Sequence, residues 1–330
     1  MKNKIIMTGV KPTGTIHIGN YFGSFKPSTI AANASSAESY LCIVDYHALT
    51  TLKNAKLLSQ YVREVACTWL ACGLDVKKSV LYRQSDVPQI FELSTVLSNY
   101  TAKGLLNRAH AYKTIVQNAT EAGKDPDHDV NVGLYNYPIL MAADILAFDT
   151  DFVPVGADQK QHIEIASDIA KSFNAHHGNI LVEPQPLIKK EQATIPGLDG
   201  RKMSKSYGNQ IPLFAPSNEL LKHIKRITTD SSLPTEPKST DCVLFQLYEL
   251  FANEAEVTDM KKRFADGIGW GDVKTELHRV ADRELAPLRE KYNYYMENYG
   301  EVEKILLAGA SRARDRAQKT ITRVRKSIGA

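Results

Sequence analysis

Two short segments carry residue types suited to chemistry at phosphorus. The first is Pro12-Thr-Gly-Thr-Ile-His17-Ile-Gly19-Asn20-Tyr21, directly behind an apolar run. A strand, a turn with Pro12 and Gly14, and a helix opening at His17 form a phosphate-binding arrangement. The helix N-terminus offers unpaired N–H groups and the positive end of its dipole. Gly19 has no side chain, so a flat base or ribose can lie close to the backbone. His17 can donate a hydrogen bond to a phosphate as charge builds there, and an amide at Asn20 donates without titrating. The second segment is Lys202-Met203-Ser204-Lys205-Ser206, behind Gly197-Leu-Asp-Gly-Arg201. Two lysines among small hydroxyl residues on a glycine-rich loop can wrap a pyrophosphate leaving group, each lysine acting as a compact point charge on a flexible stem. Mg²⁺ would share that task. Taken singly, each segment also has a bland reading: a turn histidine is usually structural, and a basic turn is usually solvated.

A third set of residues could bind an organic ligand. Tyr137, Met141 and Asp144 are spaced i, i+4, i+7, so in a helix they line one face. That face presents an aromatic ring, a thioether and one carboxylate. Shortly after it comes Val153-Pro-Val155-Gly156-Ala157-Asp158-Gln159-Lys-Gln-His162.

The elements that must position these groups read as an α/β fold. Apolar runs at 4–9, 40–46, 80–84 and 152–155 are strand-sized and separated by helical stretches. That pattern argues for βαβ units in a Rossmann-like, doubly wound parallel sheet. Residues 55–73 have helical apolar spacing and end on Gly73, a helix-stopping glycine. Polar residues 118–131 and Pro/Gly/Lys-rich residues 184–200 read as loops. Beyond Pro216 the pattern is almost wholly helical. The expected division is a catalytic domain over 1–212, with an insertion near 100–145, a helical domain over 213–299, and a terminal helix over 300–330 that returns to the first domain.

Composition narrows the class. The 330 residues are 43% hydrophobic and 24% charged, an ordinary globular balance that excludes a disordered or fibrous chain. No run of about 18 apolar residues exists, so no membrane-spanning helix is expected. Met1-Lys-Asn-Lys4 leads straight into a strand-like run with no secretory signal pattern, so a cytoplasmic location is expected. Cys42, Cys67, Cys72 and Cys242 lack metal-ligand spacing and read as buried thiols, and no protein-ligated metal is expected. Net charge is +4, but the last twenty residues hold seven cations and one anion, so the rest is slightly acidic. A basic terminal helix suits a polyanionic partner. It equally suits a solvated face with Ile321, Val324 and Ile328 packed on the other side.

Taken together, the His17-Ile-Gly19-Asn20 helix start and the Lys202–Ser206 pentapeptide resemble the two signature sequences of class I aminoacyl-tRNA synthetases. Asn20 stands where many of those enzymes have a second histidine, the form common in the tryptophanyl branch. The 137–146 segment resembles the amino-acid-binding helix of tryptophanyl-tRNA synthetases, where tyrosyl relatives usually carry glutamine at the Met141 position. An indole pocket needs apolar walls, flat contacts and one acceptor for an N–H that only donates. Asp144 suits that role. Residues 153–162 resemble the same family, as do Asp45-Tyr46-His47, Thr228–Ser231, Trp270–Lys274, Pro287–Tyr292 and the ending from Gly309. The likeness spans essentially the whole chain and leaves no room for a large editing insertion.

The resemblance implies a tryptophan pocket of Asp144, Tyr137, Met141, Gln159, Met7, His47, Val153 and Val155, with Gln159 on the α-amino group and His47 near the carboxylate. It implies an ATP site of Lys11, Pro12, Thr13, His17, Gly19, Asn20, Gly156, Ala157, Asp158, Ile195, Lys202, Met203, Ser204, Lys205 and Ser206. Catalysis would fall to Lys202, Lys205, His17 and Asn20 through positioning and charge stabilisation. ATP with Mg²⁺, L-tryptophan and tRNA(Trp) would be the partners, and the enzyme would be a homodimer. Met7 stands where an aromatic is frequent, Lys11 where glutamine is frequent, and Ala157 where glutamate is frequent. Lys222, Lys225, Arg226, Lys261, Lys262 and Arg263 are candidate contacts to the tRNA backbone. A tyrosyl enzyme, a non-catalytic tryptophan or nucleotide sensor, and a small-molecule nucleotidyltransferase remain the competing readings.

Overall fold

The computed structural model describes residues 4–128, 130–156, 159–188 and 194–330. Five parallel strands, β1 (Ile5–Val10), β2 (Glu38–Ile43), β3 (Ser79–Arg83), β4 (Phe152–Val155) and β5 (Gln185–Ile188), lie in the order β3-β2-β1-β4-β5. Parallel neighbours need crossovers, and helices supply them. A short helix α1 (Ile18–Asn20), a π turn (Tyr21–Phe25) and α2 (Lys26–Ala34) link β1 to β2. Helices α3 (Asp45–Ala48) and α4 (Ala55–Ala71) link β2 to β3.

β2 and β3 are buried along nearly their whole length, which is why their sequence is apolar without alternation. Tyr40 and Cys42 join one core with Val80 and Tyr82, while Leu41 and Ile43 join another with Leu81. The sheet therefore separates two apolar layers. The first is closed by α5 (Pro88–Ser98), α8 (Val132–Leu146), α9 (Lys160–His177) and α14 (Tyr299–Ile328). Helices α6 (Lys103–Asn107) and α7 (His110–Glu121) lead into α8. The second layer holds α2 and α4 and runs without a break into α10 (Ser217–Lys225), α11 (Val243–Phe251), α12 (Glu254–Asp266) and α13 (Trp270–Glu297).

Three expectations need correction. Residues 185–188 are not loop but the edge strand β5, which is largely exposed and so carries no apolar run. The polar segment from 118 begins as the last turn of α7, because its polarity is that of an exposed helix. Between α10 and α11 the chain has no regular element over 226–242 except turns, so the C-terminal part is not continuously helical.

The basic terminal helix is a clamp. Gly309 sits so close to β3 that a Cβ there would collide with the Leu81 carbonyl oxygen. Arg312 donates to the Ser79 carbonyl at 3.1 Å and Arg314 to that of Asp86 at 2.9 Å. Arg316 and Arg323 both pair with buried Asp149. Arg325 forms a bidentate pair with Glu92 at 2.6 and 2.7 Å. Ile321 and Val324 are fully buried on the other side. Five of the seven cations thus fasten the helix to the sheet layer. Among the described residues no helix is long and apolar enough to cross a membrane.

Candidate active site

β1 is the point where strand order reverses, and a crevice opens beyond its carboxyl end and that of β4, where open α/β sheets place ligands. The two strands pair only at Ile6 and Phe152, near their N-terminal ends. The crevice is a cavity of about 530 Å³. Met7, Gly9 and Lys11 form one wall, and Val153, Val155 and Gly156 form the opposite one. α8, capped by Asn131 on the Leu134 N–H, turns Tyr137, Met141 and Asp144 into the same space, as their spacing predicts. Gln159 and His162 reach in from the start of α9, and His47 from α3.

Asp144 is only 1% exposed, and a buried carboxylate must be hydrogen-bonded. His47 Nε2 donates to Oδ2 at 2.8 Å. Gln84 Nε2 donates to Oδ1 at 2.8 Å and to Oδ2 at 3.0 Å. The imidazole expected beside a substrate carboxylate therefore has Nε2 committed to Asp144. Across the cavity, His162 Nδ1 lies 2.7 Å from Gln159 Oε1, and Nε2 lies 2.8 Å from the Tyr137 hydroxyl. An amide oxygen only accepts, so Nδ1 carries the proton, and in the neutral ring Nε2 accepts from Tyr137.

The two signature segments meet each other, not the cavity. Met203 is buried and its sulfur accepts from the Gly19 N–H at 3.4 Å. Its own N–H donates to the Ile195 carbonyl at 2.8 Å. Lys205 Nζ donates to the Gly14 carbonyl at 2.7 Å and to that of Thr13. Pro12 is buried beneath this turn. Lys202 is exposed, and Ser204 Oγ lies 2.8 Å from Ser206 Oγ. The loop is thus folded down over the His17 turn.

That packing corrects one expectation. The N–H groups at the start of α1 are not free for phosphate: Ile18 donates to the Ile211 carbonyl at 3.0 Å, Gly19 to Met203, and Asn20 back to His17. What remains available is on the side chains. His17 Nδ1 accepts from the Asn20 N–H at 3.3 Å, while Asn20 Oδ1 accepts from the His17 N–H at 3.1 Å. This reciprocal cap leaves the Nε2–H of a neutral His17 and the Asn20 amide N–H₂ as donors. Burial, with the Lys205 charge second, lowers the His17 pKa to about 4, so the ring is neutral at physiological pH. A Cβ at Gly19 would lie 2.9 Å from that ring. Loss of water around the Lys205 ammonium lowers its pKa to about 8, against the opposing charge of Glu64. Lys11 is lowered by the same cause and donates to Thr50 Oγ1 at 2.9 Å.

Of the expected residues, Met7, Lys11, His47, Tyr137, Met141, Asp144, Val153, Val155, Gly156 and Gln159 line the cavity. Pro12, Thr13, His17, Gly19, Asn20, Ile195 and Lys202–Ser206 do not line it and instead form the closed-down loop region. Ala157 and Asp158 lie outside the described residues. Sequence reasoning missed Gln84, Asn209, and the π turn that brings Gly23 and Ser24 into the cavity wall. Gln84 had a signal, an amide directly behind the carboxyl end of β3. Asn209 is 3% exposed and binds the Ser204 N–H, the Lys202 carbonyl and Asp199, which fixes the shape of the lysine loop.

A parallel sheet with a switch-point cavity beside a two-lysine loop agrees with sequence comparison. The family of class I tRNA synthetases for W and Y matches residues 1–286. The chain belongs to that family. A tryptophan–tRNA ligase of Pseudomonas aeruginosa is 48% identical over 98% of this chain and 73% of its own length. One from Neisseria meningitidis is 44% identical over 100% and 98%. A tryptophanyl-tRNA synthetase of Campylobacter jejuni, solved with ADP and tryptophan, superposes with a TM-score of 0.90 at 39% identity, covering 99% of this chain and 100% of that one. Within its class the chain therefore belongs with the tryptophan–tRNA ligases.

Proposed function

We propose that the cavity holds L-tryptophan, and that the protein joins it to AMP from MgATP and then to tRNA(Trp). The observation that carries this reading is Asp144: a buried carboxylate at the base of a largely apolar cavity suits a ligand with one buried N–H donor. Tyr137, Met141, Met7, Val153 and Val155 wall the indole. Gln159 Oε1, oriented by His162, accepts from the α-ammonium group.

In the first step the tryptophan carboxylate attacks the α-phosphorus. An O–P bond forms as the bond to pyrophosphate breaks. His17 Nε2–H and the Asn20 amide stabilise the charge at the α-phosphate, and Lys202 and Lys205 that of the leaving group. Lys11, Gly156 and Asp158 belong to the nucleotide side, with Asp158 accepting from ribose hydroxyls. In the second step the terminal ribose hydroxyl of the tRNA attacks the activated carbonyl and AMP leaves. The protein's work is positioning and electrostatics.

The division at 1–212, 213–299 and 300–330 assigns anticodon reading to the helical part, with Lys222, Lys225, Arg226, Lys261, Lys262 and Arg263 as backbone contacts. A homodimer is supported by apolar groups on the α3–α8 surface, where Tyr46 is 45%, Leu49 39% and Val132 74% exposed. The cytoplasm is the site of action. ATP–pyrophosphate exchange, run with each of the twenty amino acids and followed by tRNA charging, tests the proposal. Exchange with tryptophan alone is expected. Exchange with tyrosine would overturn the pocket assignment but keep the class. Absence of exchange would point to a binding protein instead.

A further inference from the structure

Asp144 does not meet its ligand as a symmetric carboxylate, and the cause lies outside the cavity wall. Gln84 is fully buried in the turn Gln84–Asp86 that follows β3. Its Nε2 spans both oxygens of Asp144, at 2.8 and 3.0 Å. Its Oε1 accepts from the Tyr46 N–H at 3.1 Å, at the start of the helix that also carries His47. The amide cannot be reversed, because its oxygen would then face a carboxylate and its N–H₂ would face another N–H. His47 adds a second donor to Oδ2 only. Each carboxylate oxygen accepts about two hydrogen bonds. Oδ2 is filled by protein donors, whereas the protein donates to Oδ1 once.

We infer that Gln84 is the positioning residue for amino-acid selection: with His47 it saturates Asp144 Oδ2 and presents Oδ1 as the one acceptor for a ligand N–H. This rests on the reading of the cavity as the tryptophan pocket. Gln84 touches neither ligand nor reacting atoms and acts through Asp144. Without its amide the carboxylate keeps only His47 and can rotate, so a directed acceptor becomes an undirected one. The effect is confined to ligands that bring a donor. An amino acid of the same shape with sulfur in place of the indole N–H has nothing to offer Oδ1, and the Gln84 amide is irrelevant to it.

The test is exchange kinetics with tryptophan and with 3-benzothienylalanine, for wild type and Gln84→Met, a substitution close in volume that lacks the amide. The KM for tryptophan is expected to rise about 10- to 100-fold with kcat within about threefold, since a hydrogen bond to a charged group is lost from binding. The KM for benzothienylalanine is expected to stay within about twofold, so discrimination collapses. Gln84→Leu also removes the N–H₂ without placing an oxygen against Asp144, and the same split is expected if Gln84→Met does not fold. Equal rises for both amino acids, or no change in either, in whichever variant folds, would overturn the inference and leave Gln84 a structural tie. A wild type that fails to prefer tryptophan over its sulfur analogue would overturn the Asp144 reading itself, and the inference with it.

Discussion

The two ends of the site are built in opposite ways. At the amino-acid end Asp144 and Gln159 are already held before ligand arrives. Asp144 is held by Gln84 and His47, and Gln159 by His162, all on elements packed against the sheet. At the phosphate end Lys205 and the Gly19 N–H are spent on contacts within the protein, while the His17 Nε2–H, the Asn20 amide and exposed Lys202 stay available. Lys205 lies on two carbonyls of the Thr13–Gly14 turn, and Met203 on the Gly19 N–H. Selection therefore needs no rearrangement, whereas chemistry requires contacts to be exchanged. A nucleotide must take Lys205 from neutral carbonyl partners, and a polyphosphate, being charged, outbids them.

The largest effect should come from that exchange. Lys205→Ala is expected to lower kcat for exchange by about 10²- to 10³-fold, the usual cost of deleting one group that stabilises developing charge. The KM for tryptophan should stay within about twofold, because the amino-acid end does not depend on the loop. A comparable rise in that KM would break the contrast between the two ends.

The mirror substitution is Asp144→Asn, which keeps shape and loses the charged acceptor. It should raise the KM for tryptophan by about 10- to 100-fold and leave the KM for ATP nearly unchanged. Steady-state exchange at varied tryptophan and varied ATP separates the two. A shift in the ATP constant would show that the ends are coupled.

Legibility in the sequence followed the same division. β4 and the face of Tyr137, Met141 and Asp144 could be read because a strand run and a helical period are local patterns. β5 could not, since an exposed edge of four residues containing Pro186 has no apolar run to betray it. The role of Gln84 was hidden because its partner lies 60 positions away. Likewise Lys205 and Gly14 are 191 residues apart, and no local signal says that a lysine read as a phosphate ligand will rest on backbone. The basic terminal helix shows the limit of charge alone. Seven cations are equally consistent with an external polyanion and with the internal carboxylates and carbonyls that five of them meet.

That helix supplies a control outside the site. Asp149 is 4% exposed and binds both Arg316 and Arg323. Asp149→Ala should cost about 1–3 kcal/mol of stability, less than a fully buried pair because the arginines reach water. Urea unfolding would read this as a lower midpoint, with exchange kinetics of the folded fraction unchanged. Altered kinetics would mean that the clamp transmits to the crevice.

The smallest effect expected is a pH dependence of the phosphate end alone. Lys205, with its pKa lowered to about 8 by burial of the ammonium, is cationic below that pH and neutral above it. Only the cation can meet pyrophosphate, so kcat/KM for MgATP should fall above about pH 8. The loss follows the fraction still protonated and deepens as pH rises further. The kcat should fall later, because bound polyphosphate favours the charged form. Stability runs the other way. Between about 8 and 10.5 the unfolded lysine binds more protons than the folded one, so this group's contribution to stability rises with pH. Lost activity in that window therefore cannot be loss of fold through Lys205. Lys205→Arg keeps its charge throughout and should flatten the profile of kcat/KM. His17, neutral down to about pH 4, contributes no step above that. If the fall persists in Lys205→Arg, the titrating group lies elsewhere, and the loop lysine is charged throughout the working range of the enzyme.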